Sequence, residues 1–172
     1  PGRTEYIEKY NFIIKKFLER NYSVVCIDWR GQGLSQRPKG RTDIGHVNNF
    51  FEYQIDLDAV LEKLDDRLHS RPKILFAHSM GGCIGLRSLL RGKKFDCAIF
   101  SGPLWGLPVS ELTVSILIPI FNLAISLGFG LFTYPYKIDG FHLIHKPFDK
   151  NILTRNKKNY QEMRENLLID PR

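Results

Sequence analysis

"KILFAHSMGGCIGLRSLL", residues 73–90, decides how this chain is read. Lys73–Ala77 is a short apolar run that predicts a buried strand, and Gly81 to about Arg91 has the composition of a helix. Ser79 lies between them, with Ala77 two residues before and Gly81 and Gly82 just after. A strand that turns within two residues into a helix lifts the intervening hydroxyl above the end of the sheet. Such a turn predicts a strained backbone at the serine. It also needs small flanking residues, because larger ones would collide with the neighbouring strand and helix. The Met80 N–H opens the helix and points at the same space, where it can stabilise an oxyanion with help from the helix dipole. Ser79 is therefore the candidate nucleophile. The pentamer alone is a weak signal, and Ala77 stands where the pattern usually has Gly; the strand before it and the helix after it carry the reading. His78 neighbours the serine, but consecutive residues point in different directions, so it is expected to pack beside the strand and not to act as general base.

The same alternation extends outward. Thr4 is placed to cap a helix whose apolar residues run from Tyr6 through Leu18, and Asn21 ends it. "SVVCID", residues 23–28, predicts a buried strand, and "WRGQGLSQRPKGRTD", residues 29–43, a loop. A helix is expected from about Asn49 to Leu68, with Ile55, Leu57, Val60, Leu61, Leu64 and Leu68 facing inward. "CAIF", residues 97–100, predicts a further strand, ended by Ser101-Gly102-Pro103. Strands alternating with helices imply βαβ units and a mostly parallel sheet covered on both faces, with ligands at the carboxyl ends of the strands. Residues 112–136 carry no charge. They are long enough to span a bilayer, but Pro119, Asn122, Gly128, Gly130 and Pro135 favour an apolar cap packed over the sheet. Residues 148–168 predict an amphipathic helix with Ile152, Leu153, Tyr160, Met163, Leu167 and Leu168 on one side.

Composition narrows the function classes. At 172 residues, 43% hydrophobic and 25% charged, the chain can bury a core. Its net charge of +7 suits anionic partners. The Lys and Arg are spread out, and no zinc-finger spacing or basic heptad helix is present, so nucleic acid is not the expected partner. Three cysteines, Cys26, Cys83 and Cys97, predict reduced thiols and a cytoplasmic-type compartment, with membrane association left open. No spacing among them suggests a metal site.

The segments "PGRTEYIEKY" (1–10), "VVCIDWRGQGLSQR" (24–37), "GHVNNFFEYQIDLDAVL" (45–61), "ILFAHSMGG" (74–82) and "IFSGPLWGL" (99–107) resemble, in order and spacing, the α/β-hydrolases that include bacterial lysophospholipases and monoacylglycerol lipases. The resemblance implies an α/β-hydrolase core over residues 1–107 and a helical lid over 108–172. It assigns Pro1-Gly2-Arg3 to the oxyanion loop, with the Arg3 backbone N–H as second donor opposite Met80. Asp28, Arg30, Gly31 and Gly33 are implied to shape a supporting turn, and His46 to have a structural or lining role. The family's chain order is Ser, then acid, then His, and the resemblance puts the last two beyond the lid. Asp139 with His142 or His145 lacks the required strand ends and makes a poor substitute. The chain is thus expected to be an internal slice of a longer hydrolase, incomplete at both ends.

The function implied is cleavage of a lipid carboxylic ester, a lysophospholipid or a monoacylglycerol, through an acyl-enzyme on Ser79. No cofactor or metal is expected. The lipid ester is the expected partner, with peripheral contact to an anionic membrane surface; the oligomeric state is left open. The alternatives are a general esterase or peptidase on the same fold, or a non-catalytic product that binds lipid or a partner because it lacks the triad Asp and His.

Overall fold

Two short β-rich runs, Ile74–His78 (β1) and Cys97–Ser101 (β2), pair as a parallel ladder in which Ile74 faces Cys97 and His78 faces Ser101. The computed structural model describes residues 1–37, 45–68, 71–106, 109–131, 146–151 and 154–169. A 3-10 turn Ile7–Tyr10 leads into α1 (Asn11–Leu18); α2 is Glu52–Leu68, α3 Met80–Leu90, α4 Glu111–Ser126 and α5 Lys157–Ile169. β1, α3 and β2 form a βαβ unit, as the alternation predicts. Two further 3-10 turns occupy Phe129–Leu131 and Phe148–Lys150.

The core forms where α2 and α3 close over the turn that follows residue 28. Trp29, Tyr53, Leu57, Met80 and Ile84 are buried together, with Ile27, Val47, Phe50 and Leu61 packed against them. Trp29 and Phe50 each meet the Tyr53 ring edge-on, the arrangement that the ring quadrupoles favour. Along α3 the buried residues Met80, Gly81, Ile84, Gly85 and Ser88 recur at helical spacing. The helix ends with Gly92 at φ +83° and with the Lys93 and Gly92 N–H groups donating to the carbonyls of Ser88 and Leu89. Asp58 then joins α2 to the end of α3 through ion pairs with Arg91 and Lys93.

Several expectations need correction. Residues 23–28 form no ladder. Val24, Cys26 and Ile27 help to line an apolar cavity of about 260 Å³ that Leu75 and Phe76 of β1 also line, together with residues of α1 and α2. Among the described residues the sheet therefore has two strands, and β1 and β2 are more exposed than a sheet covered on both faces would be. Ile55 points outward at 52% exposure, while Tyr53 and Gln54 are buried. The inward stripe of α2 runs through Tyr53, Leu57 and Leu61, and a residue two positions from Tyr53 lies about 200° around the helix. Thr4 caps nothing: it sits at φ +57°, and the first helical turn begins only at Ile7. Asn21, at φ +62°, does close α1, its N–H donating to the Leu18 carbonyl. None of the three cysteines is buried, and all are free thiols.

The apolar stretch after residue 110 forms α4, capped by the Ser110 hydroxyl, which accepts from the Thr113 N–H. It does not pack over the sheet. Leu112, Ile116, Ile118, Ile120, Phe121, Leu123 and Ile125 are all more than half exposed. Among the described residues no helix is long and apolar enough to cross a membrane. The amphipathic helix begins at Lys157 and not at 148. Tyr160 is its buried anchor: the hydroxyl donates to the Lys146 carbonyl at 2.5 Å and the ring meets Phe148. The Tyr6 hydroxyl, donating to the Met163 carbonyl at 3.4 Å, ties this helix to the N-terminal segment. Ile152, Leu153 and the side chains of Leu167 and Leu168 lie outside the described residues.

Arg30 joins the supporting turn to α2. Its guanidinium pairs with both oxygens of Asp56, at 2.8 and 2.6 Å, and also with Glu52. The partners are about a quarter exposed, so solvent screens the attraction. Arg30→Gln is expected to lower stability by about 1 kcal/mol. The urea midpoint should report that loss, and the loss should shrink in 1 M salt.

Candidate active site

The turn from β1 into α3 has the geometry that its sequence predicts. Ser79 adopts φ +50°, ψ −121°, a region costing about 1–3 kcal/mol for a residue with a Cβ. The surroundings hold it there. Its N–H donates to the Ser101 carbonyl at 3.3 Å, and its own carbonyl accepts from Gly82 at 2.8 Å and Leu104 at 3.0 Å. The hydroxyl makes no hydrogen bond to a described residue, and Ser79 is half-buried. Met80 stands at the first position of α3, where an N–H has no partner within the helix.

The two glycines are required for a reason that the sequence alone mislocates. A Cβ on Gly81 would lie 2.5 Å from the Pro1 carbonyl oxygen, and one on Gly82 would lie 2.6 Å from the Pro103 Cβ. Gly81 thus makes room for the Pro1–Thr4 loop, and Gly82 for the loop after β2. Ala77 is buried beneath, with Gly85 packed on it. Gly2 lies so near the serine that a Cβ there would come within 3.0 Å of the Ser79 Cβ. The structure therefore brings the Pro1–Gly2 segment, to which Arg3 is joined, against Ser79 and the start of α3.

His78 is turned away from catalysis. Its Nδ1 donates to the Ser101 carbonyl at 2.6 Å, because a carbonyl oxygen can only accept. Its Nε2 faces Glu5 at 3.8 Å. His46 has its Nε2 at 3.1 Å from Asn48 Oδ1. The backbone beside it packs on Gly31, whose added Cβ would meet the His46 carbonyl at 3.2 Å. Asp28 does shape the supporting turn: its carboxylate accepts from Ile7 at 2.9 Å and Leu34 at 3.0 Å. Asp139, His142 and His145 lie outside the described residues. Among the described residues no group of three or more His, Cys, Asp or Glu could hold a metal ion.

Two participants escape a sequence reading, Glu5 and Gln32, both buried. Glu5 accepts from the Gly2 N–H, the Lys9 ammonium and the Tyr10 hydroxyl. Burial alone pushes its carboxyl pKa up. The hydrogen bonds from Lys9 and Tyr10, the Lys9 charge and the Gly2 N–H outweigh burial, and the pKa falls below its usual 4.5. Burial first, and then Glu5, drive the Tyr10 phenol well above its ordinary value. A depressed folded-state pKa stabilises the protein fully above the unfolded value and progressively less as pH falls through the folded one. Glu5→Gln is therefore expected to lower the urea midpoint at pH 7, and the gap from the natural protein should narrow by pH 3. A gap that stays constant from pH 7 to pH 3 would sink the assignment.

The sequence profile of the family described as serine aminopeptidase, S33, matches residues 1–172. The chain is 34% identical over 110 residues to lysophospholipase L2 of Escherichia coli K12, a match covering 63% of this chain and 32% of that protein. It is 32% identical over 110 residues to phospholipase YtpA of Bacillus subtilis, covering 63% of this chain and 40% of that one. A probable lysophospholipase L2 of Haemophilus influenzae is 32% identical over 107 residues, covering 62% and 34%. The matched segment thus spans about a third of the length of these curated relatives. No solved structure matches the chain.

Proposed function

Because the chain belongs to the serine aminopeptidase S33 family of α/β-hydrolases, we propose that the protein is a serine hydrolase that cleaves the carboxylic ester of a lysophospholipid or monoacylglycerol. The observation that carries this reading is the backbone of Ser79, held at φ +50° in the turn between β1 and α3. The Ser79 Oγ attacks the ester carbonyl carbon as its proton passes to a base, and the carbonyl oxygen takes up negative charge. The Met80 and Arg3 N–H groups stabilise that charge. The C–O bond to the glycerol side breaks, and the alkoxide leaves with a proton. Water then hydrolyses the acyl-serine and releases the fatty acid. The base is a histidine held by a carboxylate. Neither His46 nor His78 is offered for that role, because each is engaged elsewhere.

The names of the relatives, lysophospholipase and phospholipase, support a lipid ester as the substrate. The exposed apolar surface of α4 and the net charge of +7 support peripheral contact with an anionic lipid surface. The free thiols suit a reducing, cytoplasmic compartment. The family's description favours one second reading, a peptidase on the same scaffold. The test is to give the intact protein lysophosphatidylcholine, monoolein, p-nitrophenyl butyrate and an aminoacyl p-nitroanilide, and to map a fluorophosphonate adduct by mass. Preferred release of long-chain fatty acid with the adduct on Ser79 supports the lipid reading. Preferred release of nitroaniline supports the peptidase. An adduct on a different serine overturns both.

A further inference from the structure

We propose that Gln32 is a positioning residue that presets the oxyanion loop, clamping it so that the Arg3 N–H is left for the charge developing beside Ser79; the proposal rests on the reading of Ser79 as nucleophile. Nearly every backbone polar group of the loop has a partner. The Pro1 carbonyl accepts from the Trp29 indole at 3.0 Å. The Gly2 N–H donates to Glu5, with the Tyr10 hydroxyl oxygen at 3.3 Å. The Gly2 carbonyl accepts from Gln32 Nε2 at 2.9 Å, and the Thr4 N–H donates to Gln32 Oε1 at 2.7 Å. The Arg3 carbonyl accepts from the Thr4 hydroxyl at 2.6 Å. Among the described residues, the Arg3 N–H is the amide of Gly2–Thr4 that remains without an acceptor.

A single carboxamide thus grips the loop on both sides of Arg3. Its orientation is set by its partners, since a flipped amide would face N–H to N–H at Thr4 and oxygen to oxygen at Gly2. Gln32 is itself held firmly. It is 6% exposed and lies between Gly31 at φ +75° and Gly33 at φ +52°. Its N–H donates to the Trp29 carbonyl at 2.9 Å, and its carbonyl accepts from Ser35 at 3.0 Å. A donor fixed before the substrate arrives needs no reorganisation as the charge appears, and that is how a hydrogen bond contributes most to a transition state.

The test compares the intact protein with Gln32→Met, which keeps the side chain's length and loses both hydrogen bonds. With lysophosphatidylcholine, kcat is expected to fall about 10- to 100-fold while KM stays within about twofold, because the lost interaction acts on the transition state. Affinity for an alkyl boronic acid, which forms an anionic adduct on Ser79, should fall by a similar factor. Binding of the fatty-acid product should not change. Gln32→Glu, which keeps the acceptor for Thr4 and sets a carboxylate against the Gly2 carbonyl, should show the same split and serves if the Met variant does not fold. The proposal is overturned if kcat and boronate affinity survive in the variant. It is also overturned if kcat, boronate affinity and product binding all fall together with the folded fraction. Undiminished hydrolysis by Ser79→Ala would instead bring down the nucleophile reading, and this proposal with it.

Discussion

Ser79→Ala is expected to reduce ester hydrolysis by the intact protein at least about 10³-fold without a loss of thermal stability. Removing a nucleophile that acts together with its base removes most of the rate and leaves only what binding and the oxyanion donors supply. Stability should hold because the hydroxyl bonds to no described residue, whereas the backbone of residue 79 is held through its N–H and C=O, which alanine retains. Alanine tolerates φ +50° no better than serine does, so the turn keeps its strain and its shape. The check is the initial rate on lysophosphatidylcholine together with the thermal midpoint. A variant keeping a tenth of the natural rate would remove Ser79 from the mechanism. A variant that loses rate only because it unfolds would show a midpoint lower by several degrees.

Gly81→Ala should impair both function and stability. The added methyl meets the Pro1 carbonyl oxygen at 2.5 Å. That neighbour is backbone, so no side-chain rotation relieves the clash. Either the start of α3 or the Pro1–Thr4 loop must shift, and each carries one of the proposed oxyanion donors. Loss of one aligned donor corresponds to about a 10²-fold fall in kcat, and overpacking of this kind destabilises by about 1–3 kcal/mol. Gly106→Ala is the control: it is exposed, has no positive φ and, among the described residues, has no atom within 4 Å of an added Cβ. It should leave rate and midpoint unchanged. Equal behaviour of the two variants would mean that contact between the loop and the helix start has no catalytic consequence.

These two predictions come from different depths of the molecule. The Ser79 turn was legible in the sequence because its causes are local: a β-rich run, a polar residue between small neighbours, and a helix-forming run within one stretch of chain. The same holds for the βαβ order of β1, α3 and β2, and for Asn21 and the Gly102 turn, each marked by a positive φ. The glycine at 81 was legible as a need for smallness, but its collision partner is a carbonyl 80 positions earlier. The buried stripe of α2 was misread at Ile55 because hydrophobicity reports a preference, whereas the helix's rotation against Trp29 and α3 decides which residues are covered.

Residues 23–28 and α4 show the same limit. Their apolar content calls for cover, but a strand also needs a hydrogen-bonded neighbour, and among the described residues the ladder joins only β1 and β2. An apolar helix likewise needs a surface, and α4 turns most of its side chains outward. Glu5 and Gln32 read as ordinary polar loop residues until the chain brings them against Gly2 and Thr4. The sequence by itself determined the strand–serine–helix turn, because backbone strain and the demand for small neighbours act over a few residues. Only the tertiary structure decided which backbone N–H groups near that serine have no acceptor among the described residues, because each group's partner is delivered from a distant part of the chain.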